Sequence, residues 1–93
     1  MFKVITVCGL GVGSSLILKM TCETAFKQLG VKVNIEHWDM GTVKGKQFDL
    51  LVTTESFKKN FADLNNVVYV KNMVDAKEMK ANLETYMNSK GLL

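Results

Sequence analysis

The stretch Val4–Met20, VITVCGLGVGSSLILKM, decides how the rest of the chain is read. Val4, Ile5, Thr6 and Val7 are β-branched and predict a buried strand. Cys8 follows directly. Gly9, Leu10, Gly11, Val12 and Gly13 place glycine at every second position and predict a loop. Ser14 and Ser15 then open an apolar segment of helical character. A glycine-rich turn of this kind lets backbone N–H groups converge on an anion. The following helix adds unsatisfied N–H groups and the positive end of its dipole. A cysteine at the mouth of such a loop feels the same field, which favours its thiolate. The stretch therefore sets a nucleophilic sulfur in a socket suited to a phosphate-like anion.

Outward from this stretch, the spacing predicts a first strand at Phe2–Val7 and a first helix from Ser14 to Leu29. Leu18, Cys22, Ala25 and Leu29 share one face of that helix, and Gly30 stops it. Val31–Trp38 alternates apolar with polar residues, as a half-buried edge strand does. Asp39–Gln47, with Gly41 and Gly45, reads as a loop. Phe48–Thr53 is a continuous apolar run and predicts a central strand. Thr54–Asn60 predicts a short helix or turn, with Phe57 and Phe61 packing inward. Val67–Val70 is the fourth strand. Asp75 and Glu78 have the spacing of a capping box, with Val74 placed to staple onto Met79. Ala76, Met79, Leu83, Tyr86 and Met87 form the buried face of the last helix, which Gly91 ends.

Alternating strands and helices imply an α/β fold with a small four-stranded parallel sheet and helices on both faces. Right-handed crossovers restrict the topology, and the expected strand order is 2-1-3-4. Such a Rossmann-like sheet binds ligands outside the carboxyl ends of its strands, at the switch point between strands 1 and 3. The Cys8 loop follows strand 1 at that crevice.

Composition narrows the function classes. Ninety-three residues make one small domain, 1–93, with no low-complexity run and no proline. All twelve basic residues are lysine, against nine acids, and no basic patch with interleaved aromatics marks a nucleic-acid surface. The uncharged window Val4–Leu18 is fifteen residues, too short to span a bilayer, and lacks a signal-peptide cleavage site. The expectation is a cytosolic protein with Cys8 and Cys22 as free thiols. One histidine, His37, and two distant cysteines do not make a metal site, and no cofactor is expected.

Four chemistries compete for the loop. Cys8 is a nucleophile that takes up a phosphoryl group and passes it on, held by loop N–H groups and the hydroxyls of Ser14 and Ser15. Alternatively the chain is a phosphatase of the low-molecular-weight tyrosine-phosphatase type, whose loop needs a cysteine, five residues and an arginine. Here that position is Ser14, and the sequence contains no arginine to clamp the transition state. A dinucleotide site is the third reading, since Gly9-x-Gly11-x-x-Ser14 half-matches the fingerprint and Glu36 lies near the end of strand 2. The fourth is a structural glycine turn with a buried, inert cysteine.

Val7–Ser15, VCGLGVGSS, resembles the active loop of the enzyme IIB proteins of the bacterial sugar phosphotransferase system. The ascorbate/galactitol branch is the closer match, with a loop of the form Cys-Gly-x-Gly-x-Gly-Ser-Ser. Leu16–Met20 and Val70–Val74 are also similar to ascorbate-type members, so the resemblance spans the chain. It implies a tyrosine-phosphatase-like phosphate loop formed by Gly9, Leu10, Gly11, Val12, Gly13, Ser14 and Ser15, and a phosphocysteine at Cys8. It further implies receipt of the phosphoryl group from enzyme IIA and donation to a sugar on the membrane permease, enzyme IIC. A non-catalytic regulatory module of the same fold is a further alternative. Leu10 and Val12 are apolar in a loop that faces solvent, and either form a docking patch for those partners or fold back onto the helices. Thr53, Thr54 and Ser56 are expected beside the loop or capping the short helix, and Asp39 and Glu55 are expected to point away from it. Trp38 and Met40, just past strand 2, are rim contacts or loop packing.

Overall fold

The computed structural model describes residues 2–7, 12–38, 43 and 45–92, and of residues 12–15 the backbone only. Its elements are β1 (Phe2–Val7), α1 (Val12–Leu29), β2 (Val33–Trp38), β3 (Leu50–Thr54), a 3₁₀ segment (Glu55–Phe61), β4 (Val67–Val70) and α2 (Ala76–Ser89). The strands form one parallel sheet in the order β2-β1-β3-β4, as the alternating pattern predicts.

The two faces are covered differently. Val4, Leu50, Val52, Val68 and Val70 point toward α1 and α2, where Leu18, Cys22, Ala25, Phe26, Met79, Leu83 and Met87 complete a core. Ile5, Val7 and Leu51 point the other way, against Val43 and Phe61 with Phe57 and Phe48 at the margin. Both α-helices thus share one face, and the 3₁₀ segment is the helix of the other. Crossover handedness explains this. The chain steps one way across the sheet from β1 to β2 and the opposite way from β3 to β4. Right-handed connections then put α1 and the 3₁₀ segment on opposite faces.

Helix ends follow the sequence signals closely. At Gly30 (φ +74°) the amide donates to Lys27 O at 3.1 Å, and Val31 N donates to Phe26 O at 3.1 Å. Gly91 (φ +71°) repeats the arrangement, with Leu92 N reaching Met87 O at 2.8 Å. Both are Schellman stops, which need the left-handed conformation that glycine adopts without a Cβ penalty. Asp75 caps α2 by accepting from Lys77 N (3.0 Å) and Glu78 N (3.1 Å).

The reciprocal half of the capping box does not form. The Glu78 carboxylate instead accepts from Lys71 N (2.7 Å) and Asn72 N (3.0 Å), tying down the turn after β4. Nor does the staple form: Val74 is 63% exposed, and Met73 packs on the core in its place. The third strand begins at Leu50, later than its apolar run, because the Asp49 carboxylate takes the Lys3 amide (2.7 Å) where a strand carbonyl would.

Candidate functional site

Because all four strands run the same way, α1 and α2 both begin at the carboxyl end of the sheet. β1 lies between β2 and β3 and is paired on both sides, over Phe2–Val7 with β2 and Val4–Val7 with β3. Its last residue, Val7, is fully buried. The Val7 carbonyl accepts a 2.8 Å hydrogen bond from the hydroxyl of Thr53, itself fully buried in β3. The peptide that leads into position 8 is therefore fixed by a side chain as well as by the sheet.

Cys8, Gly9, Leu10 and Gly11 lie outside the described residues, as do Asp39 and Met40. Val12 and Gly13, expected in the loop, are instead the first residues of α1, and Ser14 and Ser15 continue the same first turn. The correction has a simple cause. The first four N–H groups of a helix have no intrahelical acceptor, so glycine and β-branched residues are tolerated there. No acidic residue falls in that turn, so nothing offsets the positive end of the helix. Four residues thus separate the fixed end of β1 from a helix N-terminus.

The neighbours expected on other elements are distributed as follows. Thr53 holds the strand end through its hydroxyl bond to Val7 O. Thr54 occupies the N-cap of the 3₁₀ segment without a side-chain cap bond, its hydroxyl lying 2.8 Å from that of Ser56. Glu55 is exposed. His37, half-buried, is next to last in β2 and pairs in register with Thr6. Cys22 is a free thiol buried in the α1 face of the core. Burial pushes that thiol far above its ordinary range, and Glu23 adds in the same direction, so Cys22 is inert packing.

A charged cluster that the linear sequence did not reveal lies on the opposite face of β2. Trp38 Nε1 donates to Glu36 Oε1 at 2.9 Å, Lys3 Nζ sits 3.7 Å from Glu36 Oε2, and Lys46 Nζ lies 3.9 Å from the centre of the Trp38 ring. Residues 3, 36, 38 and 46 are brought together only in the folded chain. The Trp38 hydrogen bond, then the nearby Lys3 and Lys46, hold the Glu36 carboxyl below its ordinary range despite some desolvation. A carboxyl lowered in the folded state stabilises the fold above its unfolded pKa, and that contribution disappears as pH falls through the folded one. Denaturant midpoints of wild type and Glu36→Gln should therefore differ at neutral pH and converge as the pH falls through and below the ordinary carboxylate range. A gap that persisted undiminished into acid would contradict this assignment.

A cleft of about 920 Å³ opens at the other end of the sheet, lined among others by Lys3, Phe48, Asp49, Phe61, Asp63 and Asn66. Lys3 precedes Val7 by about 13 Å of strand, so this cleft lies far from the carboxyl end of β1.

Residues 3–85 match the family described as PTS system, lactose/cellobiose specific IIB subunit. The chain belongs to this IIB family. It is thus a IIB component of the sugar phosphotransferase system, and components of this kind are phosphotransferases. The IIB chain is 31% identical over 83 residues to the ascorbate-specific PTS system EIIB component of Mycoplasma pneumoniae, covering 83% of this chain and 85% of that one. Its fold matches the lactose-specific IIB component domain from Streptococcus pneumoniae with a TM-score of 0.63 at 18% identity, over 94% of this chain and 95% of that one. That second likeness establishes the shared architecture. No helix among the described residues is long and apolar enough to cross a membrane.

Proposed function

We propose that Cys8 carries the phosphoryl group of a sugar-uptake system, taking it from a phosphohistidine on enzyme IIA and giving it to L-ascorbate held by enzyme IIC, at the cytoplasmic face of the membrane. The observation that carries this reading is the fixed, buried end of β1, with four residues between it and the N-terminus of α1, in a chain of the IIB family. The ascorbate assignment is supported by the Mycoplasma pneumoniae relative.

In the first step the Cys8 thiolate attacks phosphorus. The S–P bond forms, the P–N bond breaks, and the imidazole nitrogen leaves with the bonding pair. In the second, a sugar hydroxyl attacks, the thiolate departs, and the hydroxyl proton passes to a base on the sugar-binding side. Gly9, Leu10, Gly11, Val12, Gly13, Ser14 and Ser15 supply the phosphate socket. The lack of arginine suits a carrier, because the bidentate clamp that drives hydrolysis is missing.

Intact-protein mass spectrometry tests the reading. Incubation with phosphoenolpyruvate, enzyme I, the histidine phosphocarrier and an ascorbate-type IIA should add one phosphoryl group, mapped to the Cys8 peptide. No gain, with the IIA shown active in the same tube, would refute it. Chasing the phosphoprotein with ascorbate, lactose and cellobiose permeases then decides the sugar.

The Thr53 hydroxyl acts on this site through the strand end. Thr53→Val should cost about 1 kcal/mol of stability. It should also slow transfer by about three- to tenfold at unchanged KM for the donor. Thr53→Ser, which keeps the hydroxyl, should restore the rate. Equal rates in all three proteins would remove Thr53 from the positioning of the loop.

A further inference from the structure

We propose that the cleft at the amino end of the sheet is a binding site for an uncharged sugar of one or two rings, separate from the phosphoryl-transfer site. The proposal does not depend on the carrier reading.

The cleft exists because the two faces of the sheet are covered unequally. α1 has 18 residues, about 27 Å of helix, and shares one face with α2. The other face carries only the seven-residue 3₁₀ segment, about 14 Å long. That segment ends at Phe61, and beyond it the amino end of the face is bounded by loop residues 45–49 and 63–66. The hollow between them, about 920 Å³, is near the upper end of the size range of small-molecule sites. The turn that closes the segment, with Leu64 N donating to Phe61 O at 3.0 Å, sets Leu64 on the cleft wall. Leu64 is apolar yet 39% exposed there, so core packing does not account for it.

The lining has two parts. Its floor is apolar, with Leu51 and Phe61 buried and Phe48 half-buried. Its rim is polar and consists of Gln47, Asp49, Asn60, Asp63 and Asn66. The three amides both donate and accept hydrogen bonds, and the two carboxylates accept them. Part of the rim is held in place. Asp49 Oδ2 accepts from Lys3 N at 2.7 Å, and Asn66 Nδ2 donates to Asp49 O at 3.4 Å. The Asn66 carbonyl in turn accepts from Leu51 N at 2.9 Å. A pyranose ring carries hydroxyls around its edge and C–H groups on its faces. An apolar floor ringed by mixed donors and acceptors is its complement.

Charge sets the class further. Lys3 and Lys46 offset Asp49 and Asp63, so the lining is net neutral. Both amines are engaged on the β2 side: Lys3 Nζ lies 3.7 Å from Glu36 Oε2, and Lys46 Nζ sits 3.9 Å from the Trp38 ring centre. They are poorly placed to pair with an anionic ligand, and they repel a cationic one. Lys3 stands about 13 Å of strand from Val7, so a sugar in this cleft is not placed to receive the phosphoryl group.

The test is a two-dimensional NMR titration of the unphosphorylated chain, without partners, against cellobiose, lactose, maltose and sucrose. At least one should saturate with a Kd of about 1–10 mM, with shifts centred on residues 45–51 and 60–66. Asn60→Ala and Asp63→Ala should each raise that Kd by about five- to tenfold, the loss of one hydrogen bond. Glu84→Gln, at an exposed position on α2, should leave it unchanged. Ascorbate, glucose 6-phosphate and glucosamine should shift neither segment at the same concentrations. Circular dichroism establishes that the variants fold. Absence of shifts with all four disaccharides up to about 50 mM would overturn the site, as would saturation unaffected by both rim variants. Equal binding of the charged ligands would overturn the assignment to an uncharged sugar. Because no phosphoryl donor is present, failure here leaves the carrier reading standing, and failure of phosphoryl uptake leaves this site standing.

Discussion

Replacing Cys8 with serine is expected to lower the single-turnover rate of phosphoryl acceptance by at least about 10³-fold. The physical reason is the nucleophile. A few per cent of an ordinary thiol is thiolate at pH 7, whereas a hydroxyl without a base partner is essentially unionised. The two side chains are nearly the same size, so the melting temperature should hardly move. Cys22→Ser supplies the contrast. Cys22 is wholly buried among Leu18, Ala25 and the strands, with its thiol held protonated. That substitution should cost stability through a buried hydroxyl while leaving the transfer rate near wild type. Rapid-quench measurement with phosphorylated IIA checks both. A Cys8→Ser protein that accepted the group at more than about a tenth of the wild-type rate would eliminate the phosphocysteine.

Phe26→Ala is expected to be the most damaging of the structural substitutions. Phe26 is 1% exposed and packs in the core that α1 and α2 share with the sheet. Removing a buried phenyl ring costs about 3–5 kcal/mol, the lost transfer energy plus the cavity left behind. A domain of this size is stable by about 5–15 kcal/mol in total, so the loss takes from about a fifth of the margin to all of it. At about 4–8 °C per kcal/mol, the melting temperature should fall by 12 °C or more. Urea denaturation followed by circular dichroism measures the loss. An unchanged midpoint would mean that the helix–sheet contact is not where the fold gains its stability.

The order of elements, the strand order and both glycine stops were readable because each has a local physical cause. β-branched runs favour strands, and a left-handed turn at Gly30 or Gly91 needs glycine. The boundary of α1 was less readable. Val12 and Gly13 look like loop by composition, but a helix's first turn makes few demands on its residues. Glu78 shows a different limit. Its spacing from Asp75 satisfied the capping rule, yet two unpaired amides at Lys71 and Asn72 competed for the same carboxylate and took it. The Lys3–Glu36–Trp38–Lys46 cluster was hidden because its members meet only once the sheet has formed. The inner face of α1 was readable from the spacing of Leu18, Cys22, Ala25 and Leu29, whereas Leu16, Ile17 and Met20 are apolar without belonging to it and stay exposed. At the candidate site the sequence pointed to Cys8 and its loop, whereas the support that Thr53 gives to Val7 is a fact of three-dimensional register.

The central place of β1 has a consequence for motion. Opening a parallel sheet begins at its margins, where a strand is held along one side only. In this fold the margins are β2 and β4, and either can fray while the β1–β3 pair stays closed. Position 8 is thus tethered to the strand that must give up two ladders and a buried threonine bond before it moves. Thermal agitation and substitution at the sheet's borders are absorbed there, and the tether stays in place through both.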